Sequence, residues 1–156
     1  MRTYNFDTPL AGKETADEYY MREALVLAKQ AYEQDEIPVG ALIVCHDRII
    51  GKGYNLTETL KDVTAHAEMQ TITAAASYLG GKYLHDCILY VTLEPCIMCA
   101  GALRWSQIKK VVYGAPDPKK GSAEYGTLYH PKTEIIGNVM EKECAALITS
   151  FFRNKR

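Results

Sequence analysis

The chain has 156 residues, 47% hydrophobic and 24% charged. That length predicts one domain with its own core, and the composition excludes a largely disordered chain. Eighteen basic against nineteen acidic side chains leave a net charge of −1. This excludes a protein that holds nucleic acid by bulk positive charge, so any nucleic-acid contact must use a local basic patch and a specific pocket.

Residues 1–14 are polar and aperiodic, with Pro9 and Gly12, and read as a flexible N-terminal extension. A single domain is expected over 15–156. Thr15-Ala16-Asp17-Glu18 has the form of a capping box, and Tyr20, Ala24, Leu27, Ala28 and Ala31 recur at helical spacing, predicting a helix to about Gln34. Pro38 marks its end. Val39 to Cys45 and Ile49 to Tyr54 read as two strands of a hairpin around His46-Asp47-Arg48. Thr64 to Leu79 reads as a second helix, with Ala67, Met69, Ile72 and Ala76 as its apolar positions, stopped by Gly80-Gly81.

Ile88 to Leu93 is a short apolar strand. Pro95 suits the first position of a third helix, running to about Trp105. Lys110 to Gly114 is a fourth strand, Ala115 to Lys132 a long loop rich in proline, and Thr133 to Val139 a possible fifth strand. Glu141 to Phe152 closes the chain as a helix. The order predicts an α/β fold: three layers, α/β/α, around a five-stranded mixed sheet.

No apolar run reaches the roughly 18 residues of a membrane-spanning helix, so no membrane partner is expected. The opening Met1-Arg2-Thr3-Tyr4-Asn5-Phe6-Asp7 lacks the apolar stretch of a secretory signal, so a cytoplasmic location is expected. Five cysteines is an odd count, and Cys96-Ile97-Met98-Cys99 points in a reducing compartment to metal or redox chemistry.

Two motifs stand at predicted helix starts: His66-Ala67-Glu68 and Pro95-Cys96-Ile97-Met98-Cys99. Cys96 and Cys99 share a helix face, and a helix N-terminus favours the thiolate that a metal needs. Helices that follow neighbouring strands can face each other at one sheet edge. One imidazole and two thiolates then make three zinc ligands with a fourth position open, the pattern of a catalytic zinc. Each motif alone also fits blander readings. His-x-Glu arises by chance, and Cys-x-x-Cys also serves redox sites and closed zinc knuckles. Of the fourth ligands a knuckle would need, Cys45, Cys87 and Cys144 read as core residues, and His46 and His85 as solvated turn residues.

Together, these motifs resemble the zinc-dependent cytidine deaminase superfamily, and within it most closely the bacterial tRNA-specific adenosine deaminases. The likeness runs from Ile37 to Arg153. It is carried by Ile37-Pro38-Val39-Gly40-Ala41, Gly53-Tyr54-Asn55, Thr64-Ala65-His66-Ala67-Glu68 and Leu93-Glu94-Pro95-Cys96-Ile97-Met98-Cys99-Ala100-Gly101-Ala102. Glu143-Cys144-Ala145-Ala146-Leu147 and Phe151-Phe152-Arg153 add to it. The chain departs from the pattern at Pro116-Asp117-Pro118-Lys119-Lys120-Gly121, where a basic residue often precedes the aspartate.

The resemblance implies one Zn2+ per chain on His66, Cys96 and Cys99, with Glu68 as the catalytic proton carrier. It implies hydrolytic deamination of adenosine to inosine at the wobble position of a tRNA anticodon loop, by a homodimer. It assigns Asn55 to base recognition and adds Val39 and Ala67 to the pocket. Phe152 either packs beside the flipped base or seals the last helix. Arg153-Asn154-Lys155-Arg156, Lys109-Lys110 and Lys119-Lys120 are candidate phosphate contacts, and each also reads as a solvated charge cluster. Tyr19, Tyr20, Tyr32, Tyr78 and Tyr90 are expected to pack inside rather than stack on bases. The alternative reading keeps the chemistry on a free base or nucleoside, guanine or cytosine or cytidine.

Overall fold

The computed structural model describes residues 14–155. The expected extension, residues 1–14, therefore lies outside the described residues except for Glu14, whose carboxylate pairs with Arg22. Among the described residues, four α-helices and five strands follow in the order α1 (Ala16–Glu33), β1 (Gly40–Cys45), β2 (Arg48–Tyr54), α2 (Ala67–Leu79), β3 (Cys87–Leu93), α3 (Ile97–Ser106), β4 (Lys110–Ala115), β5 (Glu134–Ile136) and α4 (Glu141–Asn154), with a 3-10 turn at Ser122–Tyr125 before β5. No helix among the described residues is long and apolar enough to cross a membrane.

Local chemistry sets most boundaries. The Thr15 hydroxyl oxygen accepts the Glu18 amide at 3.1 Å and caps α1. The Glu18 carboxylate meets that same hydroxyl rather than reaching back to the Thr15 amide, so only half of the expected box forms. Gly80, at φ 69°, ends α2 in a left-handed turn. The third helix begins at Ile97, two residues past Pro95, because Cys96 still has extended backbone. The fifth strand is real but short.

The strands lie in the order β2-β1-β3-β4-β5. β1 is antiparallel to both β2 and β3, whereas β3 with β4 and β4 with β5 are parallel. Hence β2, β3, β4 and β5 all point one way and β1 the other. Side chains alternate across the sheet. Ala41, Ile43, Leu89, Val91 and Val111 join Ala67, Ala75, Ala100 and Leu103 of α2 and α3 on one face. Leu42, Val44, Tyr90 and Val112 join Tyr20, Ala24 and Cys144 of α1 and α4 on the other. This is the expected α/β/α layering.

Several packing expectations are corrected. Beside Ala67, the buried stripe of α2 is Thr71 and Ala75, with Met69, Ile72 and Ala76 only half-buried. Thr71 is tolerated there because its hydroxyl bonds the Ala67 carbonyl at 2.7 Å. Tyr19, Tyr20 and Tyr90 are core residues, but Tyr78 is exposed and Tyr32 half-buried. Cys87 and Cys144 are buried, whereas Cys45 is half-exposed at the strand end. Gly40 is required by close approach: a Cβ there would lie 2.2 Å from the Ala24 carbonyl oxygen of α1.

Glu36 is fully buried in the turn between α1 and β1. Its carboxylate accepts the Glu58 amide at 3.0 Å, the Thr59 amide at 2.7 Å and the Thr59 hydroxyl at 2.6 Å. These bonds pin the loop that follows β2 onto the end of α1. Burial pushes the Glu36 carboxyl up, but the Thr59 and Glu58 bonds outweigh it and hold its pKa below the ordinary value. A depressed folded pKa gives stability that is present above the unfolded pKa and lost as pH falls through the folded one. Glu36→Gln is therefore expected to cost about 2 kcal/mol at pH 7, roughly 5 °C in Tm. In thermal melts the gap to wild type should close below pH 4.5, the ordinary carboxyl value; a gap that widens in acid would contradict this role.

Candidate active site

The topology gathers one edge of the sheet. β2, β3 and β4 end there and β1 begins there, and in such sheets ligands bind beyond the carboxyl ends of parallel strands. His66 is the N-cap of α2, and Cys96 is the N-cap of α3. Neither side chain caps its own helix. Contrary to the sequence expectation, the strands that precede these helices are not neighbours, because β1 lies between β2 and β3. The long connection after β2 brings His66 back across that gap.

The three side chains converge. His66 Nδ1 lies 3.5 Å from Cys96 Sγ and 3.5 Å from Cys99 Sγ, and all three ligand atoms fall within 4.8 Å of one another. Zinc takes nitrogen at roughly 2.05 Å and sulfur at roughly 2.3 Å, and in a tetrahedron such ligands sit about 3.5 Å apart. The nitrogen–sulfur separations have that size, and this soft donor set favours zinc over magnesium or calcium. Among the described residues this is the one group of three or more such side chains placed to hold a metal.

Proton affinities are strongly perturbed here. The Cys99 thiol and the His66 imidazole hydrogen-bond to Cys96 and push its pKa down to about 4 despite burial. Cys99, bonded to Cys96 and buried, moves up, and His66 moves up through its bond to Cys96. Glu68, 4% exposed on the first turn of α2, is pushed up to about 7 by burial and by the Cys96 thiolate, against bonds from its own amide and Cys99. A carboxyl so placed can both hold and release a proton near neutrality.

The cluster and Glu68 line a cleft of about 700 Å³, large enough for a nucleoside. Asn55, Val39, Ala67 and Phe152 all line it too, so the expected pocket residues share one cavity. Asn55 is buried, its backbone N–H donating to the Val39 carbonyl at 3.0 Å. Phe152 is 44% exposed at the mouth and stands edge-on to the buried Phe151, so it does not seal the helix. Phe151 does that, against Tyr32.

The basic pairs separate. Lys119 and Lys120 line the cleft. Lys110 begins β4 at the opposite sheet edge, 3.9 Å from Asp17, so Lys109-Lys110 does not belong to the site. In the tail, Lys155 pairs with Asp35, and Arg156 lies outside the described residues. His46 and His85 are exposed turn residues, as expected, facing Asp86 and Gln107.

Sequence reasoning gave no role to Glu94, which is buried beside Cys96 and lines the cleft. Its signal was a carboxylate between an apolar strand and Pro95, with no solvent-facing reason to be there.

The family model for the cytidine and deoxycytidylate deaminase zinc-binding region matches residues 14–115. The chain is 45% identical over 150 residues to the tRNA-specific adenosine deaminase of Bacillus subtilis (strain 168), across 91% of this chain and 92% of that one. It is 42% identical over 144 residues to the tRNA-specific adenosine deaminase of Agrobacterium fabrum (strain C58 / ATCC 33970), across 88% and 95%. A solved structure from biochemical and structural studies of A-to-I editing by tRNA:A34 deaminases superimposes with a TM-score of 0.78 at 41% identity. It covers 83% of this chain and 98% of that one.

Cys96→Ser and Cys99→Ser are each expected to weaken zinc binding by at least about a hundredfold in competition with a chromophoric chelator. Cys144→Ser should keep wild-type affinity, because that thiol packs against Gly114 on the other face of the sheet. Equal loss in all three variants would mean a folding defect rather than a ligand role.

Proposed function

This chain belongs to the cytidine and deoxycytidylate deaminase family, and from that premise we propose that it is a hydrolase converting adenosine to inosine at the wobble position of a tRNA anticodon. The observation that carries the reading is the buried Glu68 carboxyl beside His66, Cys96 and Cys99 on the wall of a base-sized cleft. A purely structural metal site has no use for a buried acid of raised proton affinity. The substrate follows from the tRNA-specific relatives, which align over nearly the whole chain.

In this proposal His66 Nδ1, Cys96 Sγ and Cys99 Sγ hold one zinc ion per chain. Bound there, zinc supplies Lewis acidity that makes a water nucleophilic near neutral pH. Glu68 takes one proton of the attacking water and passes it to the adenine ring nitrogen; it then takes the remaining hydroxyl proton and gives it to the amine, which leaves C6 as ammonia while the oxygen becomes the carbonyl. The Asn55 side-chain amide both donates and accepts, which suits a purine edge. Val39 and Ala67 give the base an apolar seat, and as the first residue of α2, Ala67 has an amide with no acceptor inside the helix. Phe152 offers a ring at the mouth for stacking, and Lys119 and Lys120 stand where phosphates would pass.

One deaminase domain over residues 15–156 accommodates all of these parts. The homodimer belongs to the same proposal. It is supported by α3, which presents Ile97 and Trp105, eight residues apart on one stripe, to solvent at 51% and 80% exposure. A cytoplasmic location goes with a tRNA substrate and with thiolate ligands that need a reducing compartment.

Zinc-loaded protein is expected to form inosine in an anticodon stem-loop with adenosine at the wobble position, leaving free guanine and cytidine unchanged. Glu68→Gln should lower kcat by at least about a thousandfold while metal analysis finds wild-type zinc. Ammonia release from free guanine without any RNA conversion would instead establish the small-molecule reading.

A further inference from the structure

Glu94 is 6% exposed between the end of β3 and Cys96, and the chemistry above leaves it without a task. A buried carboxylate is costly unless its oxygens are hydrogen-bonded. Here Oε1 accepts the Asp117 amide at 3.0 Å, and Oε2 accepts the Ala123 amide at 2.9 Å. One carboxylate thus grips two points, residues 117 and 123, in the first part of the loop that follows β4.

The backbone continues the same attachment. The Ser122 amide donates to the Pro95 carbonyl at 2.9 Å, and Gly121 forms an isolated antiparallel bridge with Cys96. Gly121 also lies against the carboxyl: a Cβ there would sit 2.4 Å from Glu94 Cδ and Oε2. Within the loop, Asp117 Oδ1 accepts the Lys119 and Lys120 amides at 3.2 and 3.1 Å. The Gly121 amide closes the turn on the Asp117 carbonyl at 2.8 Å. Lys119 and Lys120, both exposed, therefore reach the cleft from a turn whose ends are fixed by Glu94.

We propose that Glu94 is a positioning residue: its buried carboxylate clamps residues 117–123 onto the Pro95-Cys96 turn and so sets where Lys119 and Lys120 meet the RNA backbone. The inference rests on the RNA-editing reading for its consequence, but the clamp itself is a property of the fold. The same carboxylate joins two parts of the site, the turn that carries Cys96 and the loop that carries the lysines.

The test uses the zinc-loaded enzyme with Glu94→Gln and, separately, Gly121→Ala. Glutamine puts a carboxamide NH2, itself a donor, where one loop amide now donates. Alanine pushes the loop from the other side while leaving Glu94 intact. In both variants, hydrogen exchange at the Asp117 and Ala123 amides should speed up at least about tenfold. KM for the anticodon stem-loop should rise about tenfold and by more than kcat falls, with zinc content unchanged.

Wild-type exchange in Glu94→Gln, or faster exchange with wild-type KM, overturns the proposal. So does loss of zinc and kcat at constant KM, which would place the effect on the metal turn instead. Should Glu94→Gln fail to fold, Gly121→Ala decides alone: faster exchange with raised KM upholds the clamp, and wild-type behaviour refutes it. A wild-type enzyme that converts no RNA refutes the proposed function, and the exchange rates still decide the clamp.

Discussion

A single imidazole nitrogen must stand 3.5 Å from two thiol sulfurs that belong to a different helix, and much of the architecture serves that meeting. Side chains at the start of a helix are free to turn outward because the first residue is only half inside it. His66 and Cys96 both use this freedom and leave their own helices uncapped by side chains. The sheet supplies the rest. With β1 reversed between β2 and β3, the helices that follow β2 and β3 start at the same edge and pack on the same face.

The electrostatics follow from that meeting and from burial. Two thiols and an imidazole at this distance perturb one another, so the proton affinity of Cys96 falls while that of Cys99 rises. Beside them, desolvation keeps Glu68 from being an ordinary surface acid. Two other buried carboxylates do quieter work. Glu36 pins the loop after β2, which follows Asn55, and Glu94 grips the loop after β4. Each takes backbone amides that would otherwise sit unpaired in those loops.

The parts of this site that are local in sequence were legible. His66 and Glu68, Cys96 and Cys99, and the layered α/β order can be read from spacing, helix-start signals and apolar periodicity. What depends on distant partners was not. Nothing in the hairpin pattern says that β1 inserts between β2 and β3, because its pairing with β3 joins segments far apart in the chain. Thr71 interrupts the apolar pattern of α2 because its hydroxyl is satisfied by a carbonyl one turn back. Glu36 and Glu94 look like ordinary acids until their partners at 58–59 and at 117 and 123 are placed. Lys110 looked like a phosphate contact until the strand direction put it at the far edge beside Asp17.

X-ray absorption at the zinc edge of the metal-loaded protein tests the central arrangement most directly. The account predicts two sulfur neighbours at about 2.3 Å and two nitrogen or oxygen neighbours at about 2.0 Å: one imidazole and one exchangeable oxygen ligand. A shell of four sulfurs, or of nitrogen and oxygen alone, would contradict it, because the metal would then not sit among His66, Cys96 and Cys99 with one position open.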